Sequence, residues 1–301
     1  MGYLSIDNLY KNTKVLEFEE VFALEKIHGT SAHIKFKTGV LSFFSGGEKY
    51  DNFIMLFNQQ QLQSSFEALG QDEIIVYGES YGGKMQGMRN TYGDDIKFVV
   101  FDVKMNGNWL DVPTAKTLAK YLKLEFVDYV RIPATLEKLN EERDKPSTQA
   151  LRNGRGADKI REGIVIRPIR ECIDERGNRI IAKHKREQFR ETKKPREVNP
   201  ESLEVLKRAN AIADEWVTEE RLRHILSGVQ ALLNNVMGFD GSRELSIDDM
   251  GTIIKMMVED VEREAKGEIV ESKEARKAIS NRAVKLYKNW LKEKFKEKFN
   301  V

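Results

Sequence analysis

Two kinds of hydrophobic pattern divide the chain near residue 199. Before it, short apolar and β-branched runs dominate, which is typical of strands. They predict strands at 15–24, 32–36, 40–44, 73–79, 96–105, 163–168 and 179–185. Helical periodicity interrupts them at 54–69, 114–123 and 134–144. The pattern predicts an α+β domain with mostly antiparallel sheets.

After residue 199 the pattern is helical throughout. Asn199 and Pro200 suit the cap and first position of a helix. Ser246 predicts the cap of a second helix, and the apolar positions from Ala275 to Leu291 follow one face of a third. We therefore expect a second, all-helical domain.

Composition agrees with two globular domains. Of the 301 residues, 40% are apolar and 33% are charged, which is typical of a folded chain with a highly charged surface. We expect a first domain at 1–196 and a smaller helical domain at 199–301, joined by the charged stretch 185–200.

Charge and cysteine content indicate which partners and which cellular compartment to expect. The formal charge is only +2, so affinity for nucleic acid would need locally clustered Lys and Arg. A lone Cys172 indicates a reducing compartment. No apolar run approaches the roughly 20 residues that span a bilayer, and the first residues do not resemble a signal peptide. The expectation is a cytoplasmic protein (in the host cytoplasm if viral), with no membrane and no obligatory protein partner.

Lys26 is a candidate nucleophile. It ends an apolar strand, and Gly29 follows in the segment EKIHGT. Burial and neighbouring cations both lower the pKa of a lysine, which must lose a proton before it attacks. Gly29 would let a ligand approach the backbone. The alternative is a surface lysine beside a turn.

Three further patterns suggest chemistry on a phosphate. Glu79 ends an apolar strand in VYGESYGG, and Glu162 enters the buried strand GIVIRP. A carboxylate there is costly unless it is paired or bound to a metal. Lys183 and Lys185 are two apart in a strand and share one face, which is favourable only if an anion lies there.

Together these features match covalent nucleotidyl transfer. One lysine would attack the α-phosphate of a nucleoside triphosphate, two others would neutralise it, and carboxylates would hold the ribose and a metal. An aromatic strand residue would stack on the base, and Phe98 is the candidate. Phe98 and Phe101 fall on opposite strand faces, so one of them is expected to be core.

In this order the motifs resemble those of ATP-dependent polynucleotide ligases. EKIHGT is similar to the nucleotidylation motif of phage-type RNA ligases that seal nicks in duplex RNA. The resemblance covers about 1–190 and extends more weakly to the helical region. It implies a nucleotidyltransferase domain with ATP-grasp-like antiparallel sheets and flanking helices. DNA ligases and capping enzymes usually carry Asp where this chain has His28, which favours RNA.

The resemblance also implies roles for single residues. Lys26 would form the lysyl-AMP, Glu79 would hold the ribose, and Phe98 would stack on adenine. Lys183 and Lys185 would contact the phosphate. The other positions implied to bind the nucleotide are Glu25, Ile27 and Gly29.

Glu162 would serve a divalent metal, Mg²⁺ or alternatively Mn²⁺, and orient the lysine. His28 and Thr30 match residues that the family uses for ligation. Two departures concern the RNA end. Ser31 stands where the family usually has Asn, and FFSGGEKYDNF (43–53) lacks the usual Arg, so that Lys49 is the only cation in that stretch.

The sequence thus predicts an ATP-dependent RNA ligase that joins RNA 3′-hydroxyl and 5′-phosphate ends through lysyl-AMP and RNA-adenylate, in RNA repair. One alternative is a DNA ligase of the same superfamily. The other is a nucleic-acid-binding protein that has lost catalysis, which the missing Arg would favour.

Overall fold

Two compact units make up the chain. The computed structural model describes residues 2–189, 198–237 and 244–299. Within these ranges, no helix is both long and apolar enough to cross a membrane. The first unit comprises 1–174 and 178–198, and the second comprises 199–301 with 175–177.

Two antiparallel sheets form the first unit, in the orders β7–β1–β8–β9 and β3–β2–β4–β5–β6. They confirm the predicted α+β class. The strands are β1 (Glu20–Lys26), β2 (Thr30–Lys37), β3 (Val40–Phe44), β4 (Glu73–Gly82), β5 (Ile96–Met105), β6 (Asn108–Trp109), β7 (Tyr129–Pro133), β8 (Gly163–Pro168) and β9 (Ala182–Lys185).

Six α-helices accompany these sheets in the described part of the first unit. The main core includes residues of both sheets, and on one face of the five-stranded sheet Phe36 of β2 stacks on Phe66 with ring centroids 5.4 Å apart. The helices are α1 (Tyr50–Ile54), α2 (Gln59–Ala68), α3 (Arg89–Tyr92), α4 (Val112–Tyr121), α5 (Leu136–Arg143) and α6 (Thr148–Arg152).

The strands expected at 15–24 and 179–185 and the helix expected at 54–69 are shorter than predicted, and strand β7 was not predicted. The strand expected at 15–24 starts only at Glu20, because Lys14–Glu17 forms a 3₁₀ turn. The helix expected at 54–69 forms only over α2, because α1 already ends at Ile54, and the side chain of Asn58 caps α2 by accepting from the Gln61 amide. Strand β7 was missed altogether because it is short and half exposed.

The described part of the second unit is entirely helical. The Asn199 side chain accepts hydrogen bonds from the backbone amides of Glu201 and Ser202, which confirms the predicted cap. Ser246 forms a capping box with Asp249 ahead of α9. The helix α8 was not predicted. The helices are α7 (Pro200–Trp216), α8 (Glu219–Met237), α9 (Met250–Glu264) and α10 (Lys273–Phe299).

Candidate active site

Strand register in the four-stranded sheet gathers the predicted motifs. Lys26, at the end of β1, lies opposite Gly163 at the start of β8, and Gly163 lies opposite Lys185 of β9. A Cβ on Gly163 would come within 2.2 Å of the His184 carbonyl oxygen. Glycine is therefore needed there, because any side chain would push β9 away from β8.

The carboxylate of Glu162 is the centre of the site. Lys26 Nζ lies 2.9 Å and His28 Nδ1 lies 3.1 Å from its Oε2, while Lys185 Nζ lies 2.8 Å from Oε1. Glu162 is only 1% exposed. Burial on its own raises the pKa of Glu162, but His28, Lys26 and Lys185 together outweigh burial and hold it at about 2. Glu162 is therefore an anion at neutral pH.

Glu79 lies in the second sheet, facing the same site. Its Oε1 accepts a hydrogen bond from the Gly29 amide at 3.0 Å. Burial raises the pKa of Glu79 to about 7, and the nearby Lys26 opposes that rise without cancelling it. The two carboxylates thus differ sharply, because Glu162 has cations in contact and Glu79 does not.

The raised pKa of Glu79 predicts a pH-dependent stability. Since this carboxyl ionises at about 4.5 when unfolded and about 7 when folded, its protonated form favours folding. That contribution is complete below pH 4.5 and is lost as the pH rises through 7. The stability of Glu79→Gln relative to the wild type should rise by up to about 3 kcal/mol between pH 4.5 and pH 8. Urea unfolding at both pH values measures it, and a pH-independent difference between the two proteins would contradict it.

Gly29 is required for a reason other than the predicted one. A Cβ there would lie 2.2 Å from the Ser80 carbonyl oxygen and 2.9 Å from the Tyr81 Cβ. The space that a side chain at position 29 would fill is thus occupied by β4. Glycine allows the turn between β1 and β2 to contact β4, which brings Glu79 within hydrogen-bonding distance of the turn.

A cavity of about 260 Å³ lies beside these residues. Its lining includes several predicted nucleotide-binding residues and also the N-terminal segment 3–6, which had not been assigned to the site. The predicted residues in the lining are Glu25, Lys26, Ile27, Ser31, Glu79 and Lys183.

The structure places Phe101, and not Phe98, beside the cavity. Phe98 is 8% exposed and packs edge-on against Phe53 and Phe57 in the core. Phe101 instead lines the cavity. The predicted placement of Phe98 is therefore corrected. Phe101 is the extra residue of a β-bulge, since Gly78 pairs with Val100 and Tyr77 with Asp102, and a bulge can redirect a side chain.

Glu25 lines the cavity, but its carboxylate is occupied elsewhere. The Ser147 hydroxyl donates to Oε1 at 2.6 Å, and the Gln149 amide donates to Oε2 at 3.1 Å. Burial raises the pKa of this carboxyl, and Arg161 lowers it in part. Glu25 thus anchors the first turn of α6 to the end of β1, next to Lys26, and its carboxylate is not directed at a ligand.

The loop without the expected Arg folds onto the turn after Lys26. The Gly47 amide donates to Thr30 Oγ1 at 2.9 Å. A Cβ on Gly46 would lie 2.3 Å from the Ser31 carbonyl oxygen, so this loop is in close contact with the turn. Lys49 follows it and is exposed. The glycine pair therefore brings Lys49 into the neighbourhood of Thr30.

The donor groups at the site bear on how a metal could bind. Among the described residues there is no group of three or more His, Cys, Asp or Glu side chains that could hold a metal ion. Glu162 offers one carboxylate. Mg²⁺ commonly binds through one or two carboxylates, substrate phosphates and water, so these residues fit a metal that arrives with phosphate.

The sequence interpretation missed a buried polar network next to the cavity. Arg167 and Tyr3 line the cavity. Arg167 Nη1 donates to Asp102 Oδ1 at 3.0 Å, and the Tyr3 hydroxyl donates to Asp102 Oδ2 at 2.6 Å. An Arg inside the apolar strand GIVIRP was a usable signal, because a buried Arg requires partners.

The N-terminal segment also holds the backbone of Lys183. The Lys183 amide donates to the Asp7 carbonyl at 2.9 Å, and the Leu9 amide donates to the Lys183 carbonyl at 2.8 Å. This pairing covers the free edge of β9 and fixes the strand that carries both predicted phosphate-binding lysines.

Comparison with known proteins gives one family. The family model for RNA ligase matches residues 19–185, more than half of the chain. The search of curated proteins gives no match.

Among solved structures, Naegleria gruberi RNA ligase with PPi matches at 15% identity and a TM-score of 0.50, covering 63% of this chain and 57% of that one. A lysine-to-alanine mutant of the same N. gruberi RNA ligase, with ATP and Mn, matches at 14% identity and a TM-score of 0.50, with the same coverage of both chains. This chain thus spans 57% of the relatives' length, and the likeness concerns the fold.

Proposed function

The chain belongs to the RNA ligase family, and we propose that it is an ATP-dependent RNA ligase that joins a 3′-hydroxyl to a 5′-phosphate. The observation that carries this proposal is the Glu162 carboxylate, which binds Lys26, His28 and Lys185 at once beside a cavity that also contains Glu79 and Lys183. The candidate nucleophile, cations and ribose acceptor thus come from three strands, β1, β4 and β9, with His28 from the turn after β1 and Glu162 from the position before β8.

The first step would be adenylation of Lys26. The Lys26 ammonium loses a proton, and Nζ then attacks the α-phosphorus of ATP. A P–N bond forms, the bond from that phosphorus to the β-phosphate oxygen breaks, and pyrophosphate leaves. Lys183 and Lys185 would stabilise the charge that develops on the phosphate oxygens, and this stabilisation is worth most in a site shielded from water.

The cavity would hold the nucleoside. Glu79 would accept a hydrogen bond from a ribose hydroxyl. The acceptor would be a carboxylate oxygen of ionised Glu79, or the unprotonated oxygen of the neutral acid. Phe101 would stack on adenine in place of Phe98. One N. gruberi RNA ligase structure contains PPi and another contains ATP and Mn, which supports ATP as the nucleotide.

Glu162 would hold the divalent ion together with phosphate oxygens. Such an ion, Mg²⁺ or Mn²⁺, supplies positive charge that lowers the cost of charge build-up on the phosphates. Since Glu162 is ionised at neutral pH, it can bind a cation without first losing a proton.

The later steps would take place at the RNA ends. An RNA 5′-phosphate oxygen would attack the lysyl-AMP phosphorus and free Lys26, and the 3′-hydroxyl of the other end would then displace AMP. His28, Thr30 and Lys49 are proposed to contact the RNA end, with the loop that packs on Thr30 replacing the Arg of the family. Sealing of broken RNA in the cytoplasm is the proposed role.

One assay tests this function. The full-length protein is incubated with α-labelled ATP and Mg²⁺ and then run on a denaturing gel, where covalent AMP remains with the protein. Ligation of nicked duplex RNA, single-stranded RNA and nicked DNA follows. Label with RNA joining is the expected result. Joining of DNA alone would favour a DNA ligase, and absence of label would favour a nucleic-acid-binding protein without catalysis.

The exchange between the two aromatic residues gives a second prediction. Phe101→Ala should raise the KM for ATP about tenfold or more, because stacking on a base is lost. Phe98→Leu is the matched control, which should cost about 1 kcal/mol of stability and leave that KM unchanged. Initial rates of lysyl-AMP formation measure both. A raised KM in Phe98→Leu with a normal KM in Phe101→Ala would restore the original assignment.

The helical unit provides a third prediction. Lys277, Lys285 and Lys292 are exposed on one side of α10, and we propose that they contact the RNA backbone. Changing all three to Gln should leave lysyl-AMP formation unchanged and weaken RNA binding in a salt-dependent way. The slope of log affinity against log salt should become shallower by about 2 to 3. An unchanged RNA affinity and an unchanged salt slope would show that these three lysines do not contact the RNA backbone.

A further inference from the structure

We infer that Arg179 is a positioning residue for the nucleobase end of the cavity. This inference rests on the proposed function, because the base is placed next to Phe101. Arg179 lies before β9, and it is not one of the described residues that line the cavity. It would act through its contacts with residues that do line the cavity.

Arg179 binds two carboxylates at once. Its Nε donates to Glu171 Oε2 at 2.6 Å, and its Nη1 donates to Asp102 Oδ2 at 2.5 Å. The same Nη1 lies 3.1 Å from the Tyr3 hydroxyl. The guanidinium also lies over the ring of Trp109, 4.2 Å from its centroid. Only a planar, forked cation can satisfy all of these partners together.

Three of these partners connect to different parts of the cavity lining. Tyr3 belongs to the N-terminal segment that lines it. Asp102 follows Phe101 in the chain. Glu171 accepts from Arg167 Nε at 2.7 Å, and Arg167 lines the cavity itself. One side chain outside the cavity thus links three elements that are distant in sequence.

The network is buried and electrically balanced. Arg167 and Asp102 are each 1% exposed, and the Arg179 side chain is 6% exposed. Arg167 and Arg179 together match the charges of Asp102 and Glu171. Removing one member leaves a buried charge uncompensated, so the remaining groups must rearrange. Because Tyr3 and Arg167 are among them, the base end of the cavity would change shape.

Arg179 lies apart from the charged cluster around Glu162, so its effect on base binding can be distinguished from an effect on the chemical step. Arg179 contacts neither Glu162 nor the three groups bound to it, in the contacts of the described residues. Loss of Arg179 should therefore affect how the base is held and leave the chemistry at the α-phosphate nearly unchanged. A residue needed only for folding would lower the amount of active protein without altering nucleotide preference.

The experiment uses the full-length protein with Arg179→Lys, which keeps the charge and loses the fork. Lysyl-nucleotide formation is measured with ATP, GTP, CTP and UTP. We expect the KM for ATP to rise about tenfold and the preference for ATP to fall by a similar factor, with kcat within about twofold of the wild type. Phe66→Leu, in the core on the other face of the sheet, is the control for lost stability and should retain the preference.

An unchanged KM and an unchanged preference in folded Arg179→Lys would overturn the inference. Equal changes in Phe66→Leu, at a matched loss of thermal stability, would also overturn it. If Arg179→Lys does not fold, Trp109→Leu removes the ring over the guanidinium and must show the same loss of preference. Absence of lysyl-AMP in the wild type would instead refute the proposed function.

Discussion

Replacement of Lys26 by Ala is expected to lower covalent AMP labelling by roughly 1,000-fold or more, because no other group would form the P–N bond. Lys26 Nζ lies 2.9 Å from Glu162 at the end of β1, which places it at the centre of the cluster. Lys26→Arg should not restore labelling, since a guanidinium stays protonated in proteins. Labelled ATP and a denaturing gel provide the measurement.

The control for Lys26 is Lys37→Ala. Lys37 is a lysine of β2 whose ammonium pairs with Glu73 at the surface, so labelling should remain at the wild-type level. Circular dichroism and thermal unfolding establish that each variant is folded. Retained labelling in folded Lys26→Ala would show that another residue is the nucleophile.

Removal of either lysine proposed to bind phosphate should have the next largest effect. Lys183→Ala and Lys185→Ala should each slow adenylation about 100-fold, while the KM for ATP changes much less. The reason is that these cations matter most when charge accumulates on the phosphate oxygens in the transition state. Lys185 also neutralises Glu162 in the free protein, so its loss should raise the pKa of that carboxyl.

Single-turnover rates at saturating ATP separate this effect from weaker binding. Lys145→Ala is the comparison variant and should have no effect, because the Lys145 side chain is mostly exposed and its buried partner Glu142 keeps Arg161 as a second cation. Wild-type adenylation rates in both mutants would mean that β9 carries only a charged strand end. A change in KM alone would assign the lysines to ground-state binding.

The members of the charged cluster were identifiable from the sequence because each breaks a local rule. Glu162 stands at the entrance to an apolar strand, and Lys183 and Lys185 share one face of a strand. A buried charge needs a partner, so two such anomalies suggest that they meet. The structure shows that Glu162 and Lys185 do, at 2.8 Å. The boundary near 199 was visible for a similar reason, because strand periodicity stops and helix caps begin.

The contacts of single residues were not visible in the sequence, because they depend on groups far along the chain. Glu25 was predicted to bind nucleotide, yet its partners Ser147 and Gln149 lie more than 120 residues away. Arg179 meets Asp102 across a separation of 77 residues. Local periodicity carries no information about such pairs, since folding brings them together through sheet register.

The sequence by itself determined which charged residues lie in or beside apolar strands. Lys26, Glu162 and the Lys183–Lys185 pair could be identified from alternation and the cost of burying a charge alone. Only the tertiary structure decided which way Phe98 and Phe101 point. Alternation places them on opposite faces without saying which face meets the core. That choice depends on the packing of Phe53 and on a bulge at Phe101, and both arise only when β4 and β5 pair.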